Sequence, residues 1–522
     1  METKKHLFGT TEKSDFILNM TKEGAQKLLG VYSIVAVILL AVCALPYYLT
    51  KDVVKYTEEL STGMEVQHLY TENTVAIMST ALVAVGFLSV LMFIIAKMKN
   101  ESTIADKKGF IITGALLIGL SLVSMLMAQS IQTAFFGGSA RNDGFLVFLA
   151  CIGCIFLSMI VTGEKWRVRF TDTLVAIGAF EAVFGIVQTF SDKVPNFFAG
   201  LFVGFPTGIS SDGEVVNNLG YLFNDRICAT GLMCTPHALA AVLTVLTAFA
   251  AAGVMYSKSR KRRVLYLLSC ALMTAASVLT HVFPAVIGIP CVMAVLLIVE
   301  IARLASHNVL FSDKLLENSI IRCFITILVS GAVFFGMKAG GMMNFYDENV
   351  IFTDTFYRLS TSYDSRAISD EDNIYVDFAS IGKANITYEL DNKMPFGAGQ
   401  DNLNQLYGNG TNLRTDRVYN NYIDFILERG IPTFIAYVIF LIYVLWCGIR
   451  ATGAFFRKKQ PYFGAAAFAG MVGYLVSMIW NISSNSSTYF LYICIGMVIM
   501  YGQKITLSKK EKQAKKTDLG GK

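Results

Sequence analysis

Apolar runs of membrane-crossing length, separated by short polar stretches, recur from one end of this chain to the other. Those long enough for a hydrocarbon core of about 30 Å read as residues 28–49, 74–97, 110–128, 144–162, 170–190, 235–255, 263–280, 283–303, 319–337, 431–450, 462–480 and 486–502. Only Thr280, His281 and Val282 separate the seventh run from the eighth, so those two form a tight helical hairpin; the last run is short. The pattern predicts an all-α polytopic membrane protein with about twelve transmembrane helices. Leu28 follows a polar stretch too long for an ordinary signal-peptide n-region, so the first run is expected to stay as a membrane helix.

Three polar segments exceed a simple turn: Lys51 to Asn73, Ser191 to Cys234 and, largest, Lys338 to Gly430. The last is rich in Asp, Asn and Tyr and too long for a structureless connection, so it is expected to fold. The organisation is then a tail (1–27), helices one to nine (28–337), a large loop between helices nine and ten (338–430), helices ten to twelve (431–502) and a basic tail (503–522).

Charge orients this arrangement. Most of the 44 Lys and Arg lie in the two tails and in alternate short loops such as KMKNESTIADKK, GEKWRVR, SKSRKRR and RATGAFFRKK. By the positive-inside rule those loops and both termini are cytoplasmic, which requires an even number of spans and makes the large loop extracytoplasmic. Composition agrees: the 522 residues are 54% hydrophobic and 16% charged, against about 25% charged in a soluble domain. The net charge of +6 is thus a topology signal, and no aromatic-interleaved basic patch points to nucleic acid. Eight of ten cysteines lie inside apolar runs, where they act as small hydrophobes; Cys228 and Cys234 flank a loop end and are near enough in sequence to pair. No carboxylate spacing of the metal-binding kind occurs in the outer loops, so no metal or cofactor is expected.

Chemistry is sought on the outer side, because ionisable groups at membrane level are costly and are usually kept for function. Arg141 stands in FGGSARNDGF, Arg226 in NDRICATGLMCTPHALA with His237 at the following first helical turn, and His281 at the end of run seven. Arg358, Arg366, Arg414 and Arg417 fall in the large loop. Guanidinium groups there suit a phosphorylated, membrane-embedded substrate, since the planar fork binds phosphate oxygens bidentately. Each Arg alone equally suits a loop carboxylate or a lipid headgroup, and each His an interfacial hydrogen bond. Glu181, inside run five, is either a polar bundle contact or part of a substrate cleft.

At these residues the chain resembles the O-antigen ligase and polymerase superfamily, bacterial membrane enzymes acting on lipid-linked glycans at the outer face of the cytoplasmic membrane. FGGSARNDGF resembles the superfamily's Arg-then-Gly outer loop, through Arg141 and Gly144; GIVQTF resembles its Gly-x-x-Gln helix end, through Gln188. In RICATGLMCTPHALA the matching residues are Arg226, Pro236 and Ala240, with His237 at an Asn position. NKMPFGAGQ is similar to a Pro-x-x-Gly-x-Gly segment, and VYNNYIDFILERGIP to a His-Asn-x-Tyr-Leu run ending in Glu-x-Gly. Two positions depart: Tyr419 stands for the superfamily's His, beside a matching Asn420, and Val282-Phe283 replaces a Ser-Arg pair.

The resemblance implies a GT-C-like glycosyltransferase that passes a glycan from a polyprenyl-diphosphate carrier to an acceptor hydroxyl on another glycan, a lipid or a wall polymer. It implies neither nucleotide sugar nor metal. Arg141 and Arg226 would stabilise the departing diphosphate, with Arg358, Arg366 and Arg417 as further contacts; His281 and Gln188 would bind substrate, and Tyr419 and Asn420 would hydrogen-bond sugar or phosphate. His237, His281, Asp416, Asp424 and Glu428 remain alternative bases. A flippase or transporter for the same lipid-linked glycan, the competing expectation, would need polar groups deep in the bundle reachable from both sides.

Overall fold

The computed structural model describes residues 20–45, 63–98, 107–138, 141–189, 208–209, 215–216, 221–223, 226–233, 235–307, 318–342, 366–368, 374–376, 394–402, 420–456 and 461–502. Its helices in chain order are α1 Lys22–Val42, α2 Gly63–Met98, α3 Lys107–Leu126, α4 Ile131–Phe136, α5 Phe145–Met159, α6 Glu164–Thr189 and α7 Pro236–Tyr256. There follow α8 Arg260–Leu279, α9 Phe283–His307, α10 Ser319–Ala339, α11 Asn421–Phe456, α12 Phe463–Ser477 and α13 Thr488–Gly502. Three short antiparallel hairpins sit between helices: β1 Gly208–Ile209 with β2 Val215–Val216, β3 Tyr221–Phe223 with β4 Arg226–Cys228, and β5 Arg366–Ile368 with β6 Ile374–Val376.

Among the described residues, 10 helices are long and apolar enough to cross a membrane. Two shorter apolar helices, α5 and α13, occupy the expected fourth and twelfth runs. The chain is a multi-pass helical membrane protein. Its surface reverses the soluble pattern: Ile435, Ile439, Ile442, Trp446 and Ile449 form an exposed stripe at helical spacing along α11, and Leu328 and Phe335 are exposed on α10. Lipid tails accept such a face, so burial is not needed to hide it.

Helix α7 is the axis of the bundle, buried at every residue from Pro236 to Met255. It packs against α6, α8, α9, α10 and α12. Its many alanines let neighbours approach closely, which is how helices associate where lipid removes the hydrophobic drive. The same logic joins α2 to α5: a Cβ on Gly86 would stand 2.4 Å from the Ala150 carbonyl, and one on Gly153 the same distance from the Gly86 carbonyl.

At the end where α8 leads into α9, polar residues close the bundle. Thr280 caps α8, and the turn through His281 takes a left-handed backbone with φ of 57°. At the opposite end Glu300 is fully buried yet satisfied. Arg303 Nε and Nη2 donate to its two oxygens at 2.9 and 2.7 Å, the Tyr256 hydroxyl donates at 2.7 Å, and the Ser319 hydroxyl also donates to it. That cluster ties the ends of α7 and α9 to the start of α10.

Candidate functional site

Segments far apart in sequence meet in one polar layer at the His281 end of the bundle. Its hub is the segment 481–487, Asn-Ile-Ser-Ser-Asn-Ser-Ser, between the short 3-10 turn after α12 and the start of α13. Asn485 Nδ2 donates to the Val75 carbonyl at 3.2 Å, the Ser79 hydroxyl at 2.6 Å and the Arg141 carbonyl at 3.2 Å. Asn481 Nδ2 donates to the His237 carbonyl at 3.1 Å, the Ser486 hydroxyl to the Met233 carbonyl at 2.9 Å, and the Ser483 hydroxyl to Asp143 Oδ2 at 3.2 Å. One short loop thus holds α2, residues 141–143 and the approach to α7 together.

A second junction forms where α11 breaks. Gly430 leaves the helical conformation at φ 78° and ψ 166°, with Pro432 just beyond, so residues 421–429 make a half-helix set at an angle to the long span. Its last carbonyls would be orphaned by the break. The Pro395–Asn402 loop satisfies them: Ala398 N–H donates to the Leu427 carbonyl and Gly399 N–H to the Glu428 carbonyl, both at 2.9 Å. Ser124 at the end of α3 donates to Phe396 and Glu428 carbonyls at 2.8 and 3.2 Å. Further links run from Asn402 Nδ2 to the Ser130 carbonyl at 3.1 Å and from Gly138 N–H to Asp401 Oδ2 at 2.7 Å.

The residues singled out in the sequence fall into three groups. Arg141, Gln188, His237, His281 and Asn420 come to this layer. Arg226 and Arg366 lie on the short strands β4 and β5, Arg226 three residues before Ala229, whose N–H donates to the Leu279 carbonyl at 2.8 Å. Arg358, Arg414, Asp416, Arg417, Tyr419 and Cys234 lie outside the described residues. His237 is buried at the first turn of α7, where Thr235 caps the helix through the Ala238 N–H at 3.2 Å.

Two residues expected as substrate contacts, Gln188 and Asn420, hydrogen-bond to the protein's own backbone. Gln188 Oε1 accepts from the Thr230 and Gly231 N–H groups at 3.0 and 2.8 Å, while its Nε2 donates to the Gly231 carbonyl at 3.0 Å. Asn420 Oδ1 caps α11, accepting from the N–H groups of Tyr422 and Ile423 at 3.1 and 3.2 Å. Glu181 joins Gln188: its Oε2 accepts from the Leu232 N–H at 2.8 Å and so helps pin the loop leading into α7, while its buried Oε1 has no hydrogen-bond partner among the described residues.

The sequence reading passed over Arg429. It is 6% exposed, and its guanidinium lies 4.3 Å from the Phe148 ring centroid and 4.8 Å from that of Phe425. Among the described residues its buried Nε and Nη1 have no hydrogen-bond partner. It borders a cleft of about 50 Å³ that Asp143, Tyr437, Tyr474 and Tyr492 also line. The signal that could have found it is the Glu428-Arg429 pair, two ionisable residues directly before Gly430 and a membrane span.

Backbone strain gathers in the same layer. Asn142, His281 and Asp401 are the non-glycine residues with positive φ among the described ones, at 50°, 57° and 56°. Such conformations persist only where surrounding structure enforces them, and they concentrate at functional sites. Fold and layer together define a multi-pass helical membrane protein with a strained, buried polar site set into one end. No protein-family model matches the chain, and a search of curated proteins returns no match.

Proposed function

We propose that this protein is a glycosyltransferase of the kind its motifs resemble, moving a glycan from a polyprenyl-diphosphate carrier to an acceptor hydroxyl at the outer face of a bacterial cytoplasmic membrane. It does so with twelve spans, α5 and α13 included, a GT-C-like arrangement, and both termini in the cytoplasm. The observation that carries the reading is convergence. The segments resembling the superfamily's motifs, around Arg141, Gln188, His237, Gly397 to Gly399 and Asn420 to Gly430, meet at one end of the bundle although up to several hundred residues separate them.

The chemistry asks for cations where a diphosphate departs and for an acceptor of the hydroxyl proton. Arg141 and Arg226 take the first role, with Arg358, Arg366 and Arg417 joining from the large loop. His237, His281, Asp424 and Glu428 are within the same end of the chain's fold to take the second. Gln188 and Asn420 act by holding the loops that present these groups.

Deleting the gene and locating the accumulated lipid-linked glycan with a membrane-impermeant sugar-modifying probe tests the reading. Accumulation on the outer leaflet is the expected result, because transfer stops after export. Accumulation protected on the inner leaflet would overturn it and leave a flippase.

A further inference from the structure

A guanidinium is charged at any relevant pH, and burying that charge without a hydrogen-bonded partner is costly. Arg429 is in that position. It lies at the end of a half-helix, clamped between two aromatic faces, and among the described residues it makes no hydrogen bond or ion pair. The rings of Phe148 and Phe425 compensate the cation's faces, and its buried Nε and Nη1 have no hydrogen-bond partner among the described residues. The residue lines the cleft between α5, α11, α12 and α13.

We propose that Arg429 is an anion receptor and that the cleft takes one phosphoryl group, the chemistry shared by a lipid-linked diphosphate and by free pyrophosphate. Two features favour this ligand. Tyr437 and Tyr492 line the cleft and bring phenol groups to the same space as the guanidinium, while the Tyr474 hydroxyl in the lining donates to Thr488. The cleft also lies beside the Pro395–Asn402 loop and the 481–487 hub, in the layer where a membrane-anchored headgroup would arrive.

Asp143, held by the Ser483 hydroxyl at 3.2 Å, and Glu428 also line the cleft and are the like-charged neighbours of such a ligand. Removing the Asp143 charge should therefore tighten anion binding, whereas loss of the Arg429 guanidinium should weaken it. The lipid-diphosphate version of the inference rests on the proposed function; the anion site itself does not.

The test uses the full chain in lipid nanodiscs and measures binding of inorganic pyrophosphate and of farnesyl diphosphate by calorimetry. Expected are a weakening of at least about tenfold in Arg429→Gln and Arg429→Lys and a tightening in Asp143→Asn. Tighter binding of farnesyl diphosphate than of pyrophosphate assigns the site to a lipid headgroup; equal binding assigns it to a free phosphate. Absence of binding to the unsubstituted protein, or unchanged affinity in the variants, overturns the inference whatever the gene deletion shows. Should both Arg429 variants fail to fold, Asp143→Asn decides, since misfolding cannot tighten binding. Binding lost with Arg429 together with glycan trapped on the inner leaflet would leave the anion site standing and remove the transferase.

Discussion

Gly430 decides where α11 ends its half-helix and begins its span. A left-handed φ of 78° is ordinary for glycine and strained for any other residue, and a Cβ here would stand 2.1 Å from the Pro395 carbonyl. Gly430→Ala is therefore expected to lower stability by at least about 2 kcal/mol, read as a drop in thermal unfolding temperature in detergent. Gly119→Ala on α3, where a Cβ meets nothing within 4 Å, is the control and should leave that temperature unchanged or slightly higher. Residue types told part of this in advance. The Pro-x-x-Gly-x-Gly likeness marked 395–399 as special, and the structure gives the reason: glycine alone lets that loop reach the carbonyls of Leu427 and Glu428. Gln188 and Asn420 were legible as important but not as anchors, because a side-chain amide serves a ligand or a neighbouring backbone equally well until its partners are known.

Whole elements show which parts of a membrane helix hydropathy detects. The apolar runs found every long span, yet α1 starts at Lys22, α6 at Glu164 and α11 at Asn421, each several residues before the corresponding run. Those first turns carry polar side chains, and helix geometry continues past the apolar stretch wherever a cap such as Thr21 or Asn420 closes it. α5 and α13 have 15 residues each, about 22 Å of rise, and the non-helical, partly buried residues 141–144 and 481–487 lead into them. Irregular backbone at such a place is tolerated when protein surrounds it. The Glu300 cluster is the corresponding device at the other end, joining three helices through one buried carboxylate. Glu300→Gln leaves Arg303 without its partner and should cost on the order of 3 kcal/mol; pairing it with Arg303→Met should recover much of that loss, as measured by unfolding in a denaturing detergent titration.

At the scale of the molecule, orientation is a matter of charge. Alternate loops rich in Lys and Arg are the ground for the proposed topology, with the termini in the cytoplasm and the polar layer outside. Alkaline phosphatase fused within the 338–430 loop is expected to be active, and green fluorescent protein at the C-terminus to fluoresce; the opposite pattern would reverse the topology. The sequence by itself determined that this is a multi-pass membrane protein and where its spans lie, since both follow from local hydropathy over stretches about as long as the membrane is thick. Only the tertiary structure decided which polar residues meet. The 481–487 hub carries no apolar signal, and Arg429 acquires its meaning from Phe148, nearly three hundred residues earlier in the chain. Such pairings are set by the way α5, α11, α12 and α13 pack against one another, a property of the whole bundle that no window of sequence contains.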